Sequence, residues 1–316
     1  MRYRTLGNSG LLVSVVGLGC NNFGGRLDVD RTRSVVDAAI DVGVTLLDTA
    51  DVYGNQGGSE TFLGQVLEGR RHKVVLATKW GAQGGDMGYG PAAGAKGGRA
   101  YVRRAVEESL RRLNTDHIDL YQLHTPDPLT PIAETIAALS ELVAEGKVRY
   151  VGHSNFTGWQ IAEAAHTARE IGGVPFVSAQ NHWSLLERAA EQEVVPASLH
   201  YGLGVLPYYP LANGMLTGKV RRATGIPEGS RLAGRPQFVT DERLDKVERL
   251  AEWGEKHERD LLEIGIGVLA AQPGCSSVIA GATSPEQVIA NAAAGEWLPT
   301  ADDLSEIDAV LAGPGE

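Results

Sequence analysis

Eight short apolar runs, each followed by a longer segment of helical periodicity, limit this chain more than any other feature. The runs are VVGLG (15–19), VTLLDTA (44–50), VVLATK (74–79), IDLYQLH (118–124), YVGHSN (150–155), FVSAQ (176–180), GVLPYYP (204–210) and SVIAG (277–281). They are rich in β-branched residues and almost continuously apolar, which suits strands buried on both faces of a parallel sheet. The spacing between them predicts helices near 30–42, 59–69, 99–113, 131–145, 158–171, 190–201, 241–270 and 285–294. Strand then helix, repeated in this way, predicts an α/β chain whose sheet closes into a (β/α)8 TIM barrel. Residues 1–316 are expected to form one domain, since barrels of this length are single units.

The competing architecture is an open, doubly wound sheet, which carries a GxGxxG turn after its first strand. Here Gly17 and Gly19 are followed by Asn22 where the third glycine belongs. A phosphate loop of the GxxxxGK type fails as well, because three residues rather than four separate Gly214 from Gly218-Lys219. Ahead of the first run, YRTL and LLVS flank an Asn8-Ser9-Gly10 turn and predict a hairpin over 1–14 that plugs the barrel floor. Two connections are long: 81–98, with eight glycines, and 211–239, with Arg221, Arg222, Arg231 and Arg235. They follow the third and seventh strands, so both belong to the carboxyl-terminal mouth where barrel active sites sit.

Composition narrows the partners. A net charge of −10 opposes binding to nucleic acid, and no basic stripe with interleaved aromatics offsets it. No apolar stretch reaches the roughly 20 residues needed to span a bilayer. The opening MRYRTLGNSG lacks the sections of a secretory signal, so a cytoplasmic protein without a membrane role is expected. The two cysteines, Cys20 and Cys275, lie far apart and fit reduced, buried thiols better than a disulfide framework or a zinc site.

Four polar residues stand at or just beyond the ends of otherwise apolar strands: Asp48 and Tyr53 after the second, Lys79 on the third, His124 on the fourth. In a closed barrel those ends converge on one mouth, so the four side chains can meet. Each has an ordinary structural role available: a turn cap, a half-buried ring, a surface amine, a backbone-satisfied imidazole. Together they form a proton-donating unit. Reducing a carbonyl requires a proton on the oxygen as hydride reaches the carbon, and a phenol is a poor donor unless perturbed. The Lys79 ammonium would lower the Tyr53 pKa, Asp48 would neutralise and hold Lys79, and His124 would orient the substrate oxygen.

With these residues in place, the chain resembles the aldo/keto reductase family, an NADP-dependent group of oxidoreductases, over nearly its whole length. The similar segments include GLGCNNFG (17–24), GVTLLDTADVYGNQGGSETFLG (43–64), LATKWG (76–81), HIDLYQLHTPD (117–127), EGKVRYVGHSNF (145–156), PYYPLANGMLTGK (207–219) and VIAGATSPEQVIAN (278–291). The resemblance implies a catalytic tetrad of Asp48, Tyr53, Lys79 and His124, with Tyr53 as acid in reduction and base in oxidation. It implies that Ser154, Asn155 and Gln180 bind the nicotinamide carboxamide while Tyr208 stacks on the ring. Without the resemblance, Ser154-Asn155 reads as a cap for the helix near Gly158. Further cofactor contacts are implied at Pro210, Leu211, Gly214 and Lys219, and at Gly281, Thr283, Gln287 and Asn291, where a helix amino terminus can hold phosphates.

The resemblance favours NADPH as cofactor. NADH is the alternative, because Gly281, Ala282, Thr283 and Ser284 stand where a basic side chain would meet a 2′-phosphate. Arg221 or Arg222 could compensate from the long loop. Phe23, Trp80 and Trp183, with Tyr209, suggest an apolar wall for a small-molecule aldehyde or ketone substrate. Two other functions compete: a nicotinamide-nucleotide-sensing partner subunit with little turnover, and a Schiff-base barrel lyase using Lys79, which the neighbouring Asp48 opposes.

Overall fold

The structure, a computed structural model describing residues 1–313, pairs all eight apolar runs in parallel in one sheet. A hairpin of β1 (Tyr3–Thr5) and β2 (Leu12–Ser14) comes first. The sheet strands follow as β3 (Val16–Gly19), β4 (Leu46–Asp48), β5 (Val75–Trp80), β6 (Ile118–Leu123), β7 (Val148–Ser154), β8 (Phe176–Gln180), β9 (Gly204–Val205) and β10 (Val278–Gly281). Each pairs with its successor as far as β9, and β10 pairs with β3. Backbone bonds then close the ring between the β9 segment and β10: Ser276 N donates to Val205 O and Ile279 N to Pro207 O, each at 2.9 Å.

Most strands are shorter than the apolar runs that announce them, and β9 is the extreme case. Pro207 has no N–H for a ladder bond. Beyond it the chain touches its neighbours through isolated bridges, Tyr208 to His182 and Tyr208 to Ile279.

Helices α1 (Val29–Asp41), α2 (Tyr53–Val66), α3 (Arg99–Leu113), α4 (Ile132–Ala144), α5 (Gly158–Ile171) and α6 (Val194–Tyr201) cover the first six strands of the ring. The expected helix over 241–270 is two, α7 (Asp241–His257) and α8 (Leu261–Ala271). Glu258 turns left-handed at φ 55°, and a new start follows at once, with Asp260 and Glu263 capping each other's backbone amides. After α9 (Pro285–Ala294), a last helix, α10 (Ala301–Ala312), lies beyond those expected from periodicity and packs on α7, where Trp253 Nε1 donates to Glu306 Oε2 at 2.8 Å. Among the described residues no helix is long and apolar enough to cross a membrane.

Inside the ring the side chains change character along the strands. Leu46, Ala77 and Leu120 pack with Leu6, Leu11 and Val13 of the hairpin segment in one buried apolar cluster at the amino-terminal end. Burying each such leucine contributes about 1.5–3 kcal/mol. Two residues further along the same strands, on the same face, stand Asp48, Lys79 and Gln122. Gly152 on β7 leaves the room this polar layer occupies, since a Cβ there would lie 2.0 Å from Ser178 Oγ and 3.2 Å from Gln122 Cγ.

Candidate active site

Asp48 ends β4 as the chain leaves the sheet, and Lys79 lies one position before the end of β5. Lys79 Nζ donates to Asp48 Oδ2 at 2.6 Å and to Thr49 O at 2.9 Å. The other carboxylate oxygen, Oδ1, accepts from Gln180 Nε2 at 2.9 Å and from Gln122 Nε2 at 3.2 Å. All four side chains are buried. A buried ion pair is tolerable only when its remaining hydrogen-bonding capacity is met, and the two glutamines meet it. Burial acts against the Lys79 ammonium, yet Asp48 and Tyr53 outweigh it and hold its pKa above the ordinary lysine value. The amine is therefore a fixed cation.

Tyr53 follows β4 by one turn and opens α2. The next four residues, Gly54 to Gly57, all have left-handed backbone, so the regular helix starts only afterwards, near the expected position 59. This detour needs close backbone approach: a Cβ on Gly24 would lie 2.4 Å from the carbonyl carbon of Gly58. It presents the Tyr53 ring 5.1 Å from Lys79 Nζ, measured to the ring centroid, and edge-on to His124 with centroids 5.7 Å apart.

The expected acidification of Tyr53 is not the net result. Burial pushes the phenol up by more than Lys79 pulls it down, with Asp48 and Tyr209 adding to the rise, and the pKa stands above its ordinary 10.0. In this state the hydroxyl keeps its proton. Burial, with the Lys79 and Lys96 cations behind it, holds His124 down at about 3 and hence neutral. Its Nδ1 is buried without a hydrogen-bond partner.

A cleft of about 650 Å³ opens over these groups, with Asp48, Tyr53 and His124 on its wall and Lys79 sealed beneath. Ser154, Asn155, Gln180 and Tyr208 line it beside the tetrad. Asn155, left-handed at φ 62°, accepts from Tyr208 Oη at 2.8 Å and donates to His124 O at 2.9 Å. The helix after it is capped by Thr157, whose side chain bonds Gln160 N, so Ser154 and Asn155 are not its cap. Tyr208 stacks on His182, with centroids 5.4 Å apart and planes 9° from parallel. Further along, Pro210, Leu211, Gly214 and Lys219 form one side of the cleft, and Gly281, Thr283 and Gln287 its far end. Gln287 Oε1 accepts from Thr283 N at 2.8 Å and so shapes the turn into α9.

Several expected residues are elsewhere. Asn291 is buried on α9 and is absent from the cleft wall. Phe23, Trp80 and Trp183 are fully enclosed in the protein core and do not reach the cleft: Trp80 stacks on Tyr121, and the Trp183 indole donates to Glu191 Oε1 at 2.9 Å. Arg221 and Arg222 are held on α7, Arg221 by Glu248 at 2.5 Å and Arg222 by Asp245 at 2.7 Å. Besides Lys219, the 211–239 segment brings Arg231 to the cleft. Arg231 donates to Asn21 Oδ1 and Asn22 Oδ1 at 3.3 and 3.4 Å and lies over the Tyr209 ring at 5.5 Å. Arg26 reaches back from the opposite rim to Gly229 O at 2.7 Å, so the long loop is tied across the cleft at two places. Gln122 also escaped the sequence reading, although its place two residues after Leu120 on an apolar strand marked it as an inward polar side chain.

The family model for the Aldo/keto reductase family matches residues 15–312. An uncharacterized oxidoreductase of Bacillus subtilis, YrpG, is 37% identical over 322 residues, covering 100% of this chain and 97% of its own. A probable voltage-gated potassium channel subunit beta of Oryza sativa subsp. japonica is 35% identical, covering 98% of this chain and 97% of its own. The Bacillus subtilis aldo-keto reductase YhdN is 33% identical over 98% of this chain and 94% of its own.

Proposed function

The chain belongs to the aldo/keto reductase family, and on that premise we propose that it reduces aldehydes and ketones with NADPH, using Tyr53 as proton donor. The observation that carries this reading is the buried Lys79–Asp48 pair lying against the Tyr53 ring at the cleft floor. A protonated phenol is what a proton donor needs at rest, and burial favours that form. As the substrate oxygen takes the proton, the phenolate left behind is stabilised by the Lys79 ammonium, which Asp48 keeps charged. His124, neutral and on the cleft wall, supplies a hydrogen bond that orients the carbonyl without adding a competing acid.

The cleft suits a dinucleotide. Two residues of its wall, His124 and Asn213, carry buried polar atoms without a partner, Nδ1 and Oδ1, and the wall runs from the tetrad to the turn before α9. Ser154, Asn155 and Gln180 would hold the nicotinamide carboxamide, with the Gln180 amide nitrogen already committed to Asp48 and its oxygen left to accept. Lys219 and the amides around Thr283 would hold phosphates. When bound, the reduced nicotinamide supplies the hydride. The cations Lys219 and Arg231 on the wall favour NADPH over NADH, although the segment after β10 carries no basic side chain to meet a 2′-phosphate.

The test is the absorbance of NADPH and of NADH, followed with a panel of aldehydes, ketones and sugars. Carbonyl-dependent oxidation, faster with NADPH, is expected; nucleotide binding without turnover across the panel would overturn the reading. That second outcome would favour a nucleotide-sensing partner subunit, a reading prompted by the relatives named as potassium channel β subunits. Schiff-base chemistry at Lys79 is disfavoured, because its pairing with Asp48 stabilises the protonated amine.

A further inference from the structure

A second cavity, of about 380 Å³, lies outside the barrel wall between α5 and α6. Gly172, Gly173 and Pro175 precede β8 and Leu203 precedes β9, so it opens at the end of the barrel opposite the cleft. Its size falls within the range of about 300–1,000 Å³ usual for small-molecule sites. The walls are apolar: Ile161, Ala165 and Ala168 of α5 face Phe176 and Leu203.

Besides the Tyr201 hydroxyl, which is paired with His166 Nε2 at 3.2 Å, two polar side chains break this lining. His153 of β7 forms part of the inner wall, is fully buried, and has no hydrogen-bond partner at either ring nitrogen. Phe156 stacks on one face of the imidazole at 4.2 Å and Phe176 meets it edge-on at 5.2 Å, which fixes the ring without satisfying it. An unsatisfied buried polar group costs free energy, and a ligand that pairs with it recovers that cost. Burial holds this imidazole neutral, with its pKa down at about 3, so it offers one donor and one acceptor. At the mouth, Arg169 lies 6.0 Å over the Tyr201 ring and makes no ion pair with a carboxylate of the described residues. No aspartate or glutamate lines the cavity.

We propose that this cavity is a second binding site, separate from the cleft, for a small phenolic carboxylate: the aromatic ring between Ile161, Phe176 and Leu203, the carboxylate on Arg169, and the hydroxyl on His153. A hydroxyl both donates and accepts, so it can serve whichever ring nitrogen faces it. An aromatic body matches the flat walls, and a guanidinium at the rim selects an anion. His153 precedes Ser154 on β7, and alternation along the strand sends one outward to this cavity and the other inward to the cleft. The two sites stand back to back, and neither assignment depends on the other.

The test uses 3-(4-hydroxyphenyl)propanoate as probe with the whole protein. Its binding is followed by calorimetry and by the His153 imidazole proton signals, identified by their loss in His153→Phe. Saturable movement of those signals is expected. Ala165→Phe, which fills the cavity, should abolish it. Arg169→Ala, an exposed change that leaves the core intact, should weaken binding about tenfold, as for the loss of one charge-assisted contact, with partial recovery in Arg169→Lys. Still His153 signals at millimolar probe would overturn the proposal. So would binding that neither Ala165→Phe nor Arg169→Ala alters, since the probe would then occupy the cleft.

Discussion

Lys79 Nζ stands 2.6 Å from Asp48 Oδ2, with side-chain exposures of 0% and 4%, so the cation that faces Tyr53 is locked in place by a counter-ion on the neighbouring strand. Neither charge would be tolerated there alone, and the proposed chemistry and the stability of the barrel interior rest on the same contact.

Tyr53→Phe is expected to lower kcat/KM for carbonyl reduction by about 10²–10⁴, the usual worth of a positioned general acid, with nucleotide affinity unchanged. In the parent protein the rate should hold level through neutral pH and decline only as the phenol ionises above its ordinary 10.0. Steady-state kinetics and fluorescence titration of the nucleotide check both points. Undiminished turnover in the phenylalanine variant would remove Tyr53 from the mechanism.

Asp48→Asn should destabilise the protein by about 3–5 kcal/mol, because it strands a buried ammonium. The sign of the pH dependence follows from Lys79, whose folded pKa is raised above the ordinary 10.5. Its stabilising contribution is complete below that value and is lost as pH rises through the folded pKa. Urea midpoints should therefore differ most at neutral pH and converge in strong alkali. Matching midpoints at neutral pH would contradict the argument.

Asp51→Asn should act in the opposite direction. Burial first, and then Glu60, raises the Asp51 pKa from 3.8 to about 7 against the smaller pull of Arg112 and the Val52 amide. A carboxyl with a raised folded pKa costs stability as pH climbs from 3.8 through 7, because the unfolded chain ionises first. The neutral amide avoids this, so the variant should gain about 2–4 kcal/mol on the parent between acid and mildly alkaline solution. Parallel stability profiles for the two proteins over that window would show that Asp51 is not so shifted.

Arg231→Ala should speed nucleotide release and raise its Kd by about tenfold, since it cuts the tie from the 211–239 segment to Asn21 and Asn22. Arg221→Ala, a change in a residue paired with Glu248 away from the cleft, should leave release unaltered. Stopped-flow fluorescence distinguishes the two. Equal release rates for Arg231→Ala and the parent would remove the tie from cofactor retention.

Much of this protein was legible from local pattern. Near-continuous apolar runs alternating with helical segments report burial on both faces, and burial acts on each residue through its near neighbours, so eight strands and the polar strand ends at Asp48 and Lys79 could be read directly. The Asp260–Glu263 capping pair was also present in the sequence, where it marks the break between α7 and α8 that apolar periodicity alone runs through.

Other features depend on where distant segments meet. Phe23, Trp80 and Trp183 lie close in sequence to mouth residues but turn into the core, because large rings gain most where they are fully enclosed. Arg221 and Arg231 carry the same charge on one loop, and the carboxylates of α7 capture the first while the second crosses to the opposite rim. Composition and spacing determined the barrel and the residue types gathered at its mouth. Tertiary structure decided which glutamines share Asp48, whether burial or Lys79 governs Tyr53, and which arginine of the long loop reaches the cleft, since each is a contest between partners that only the closed ring brings within a few ångströms.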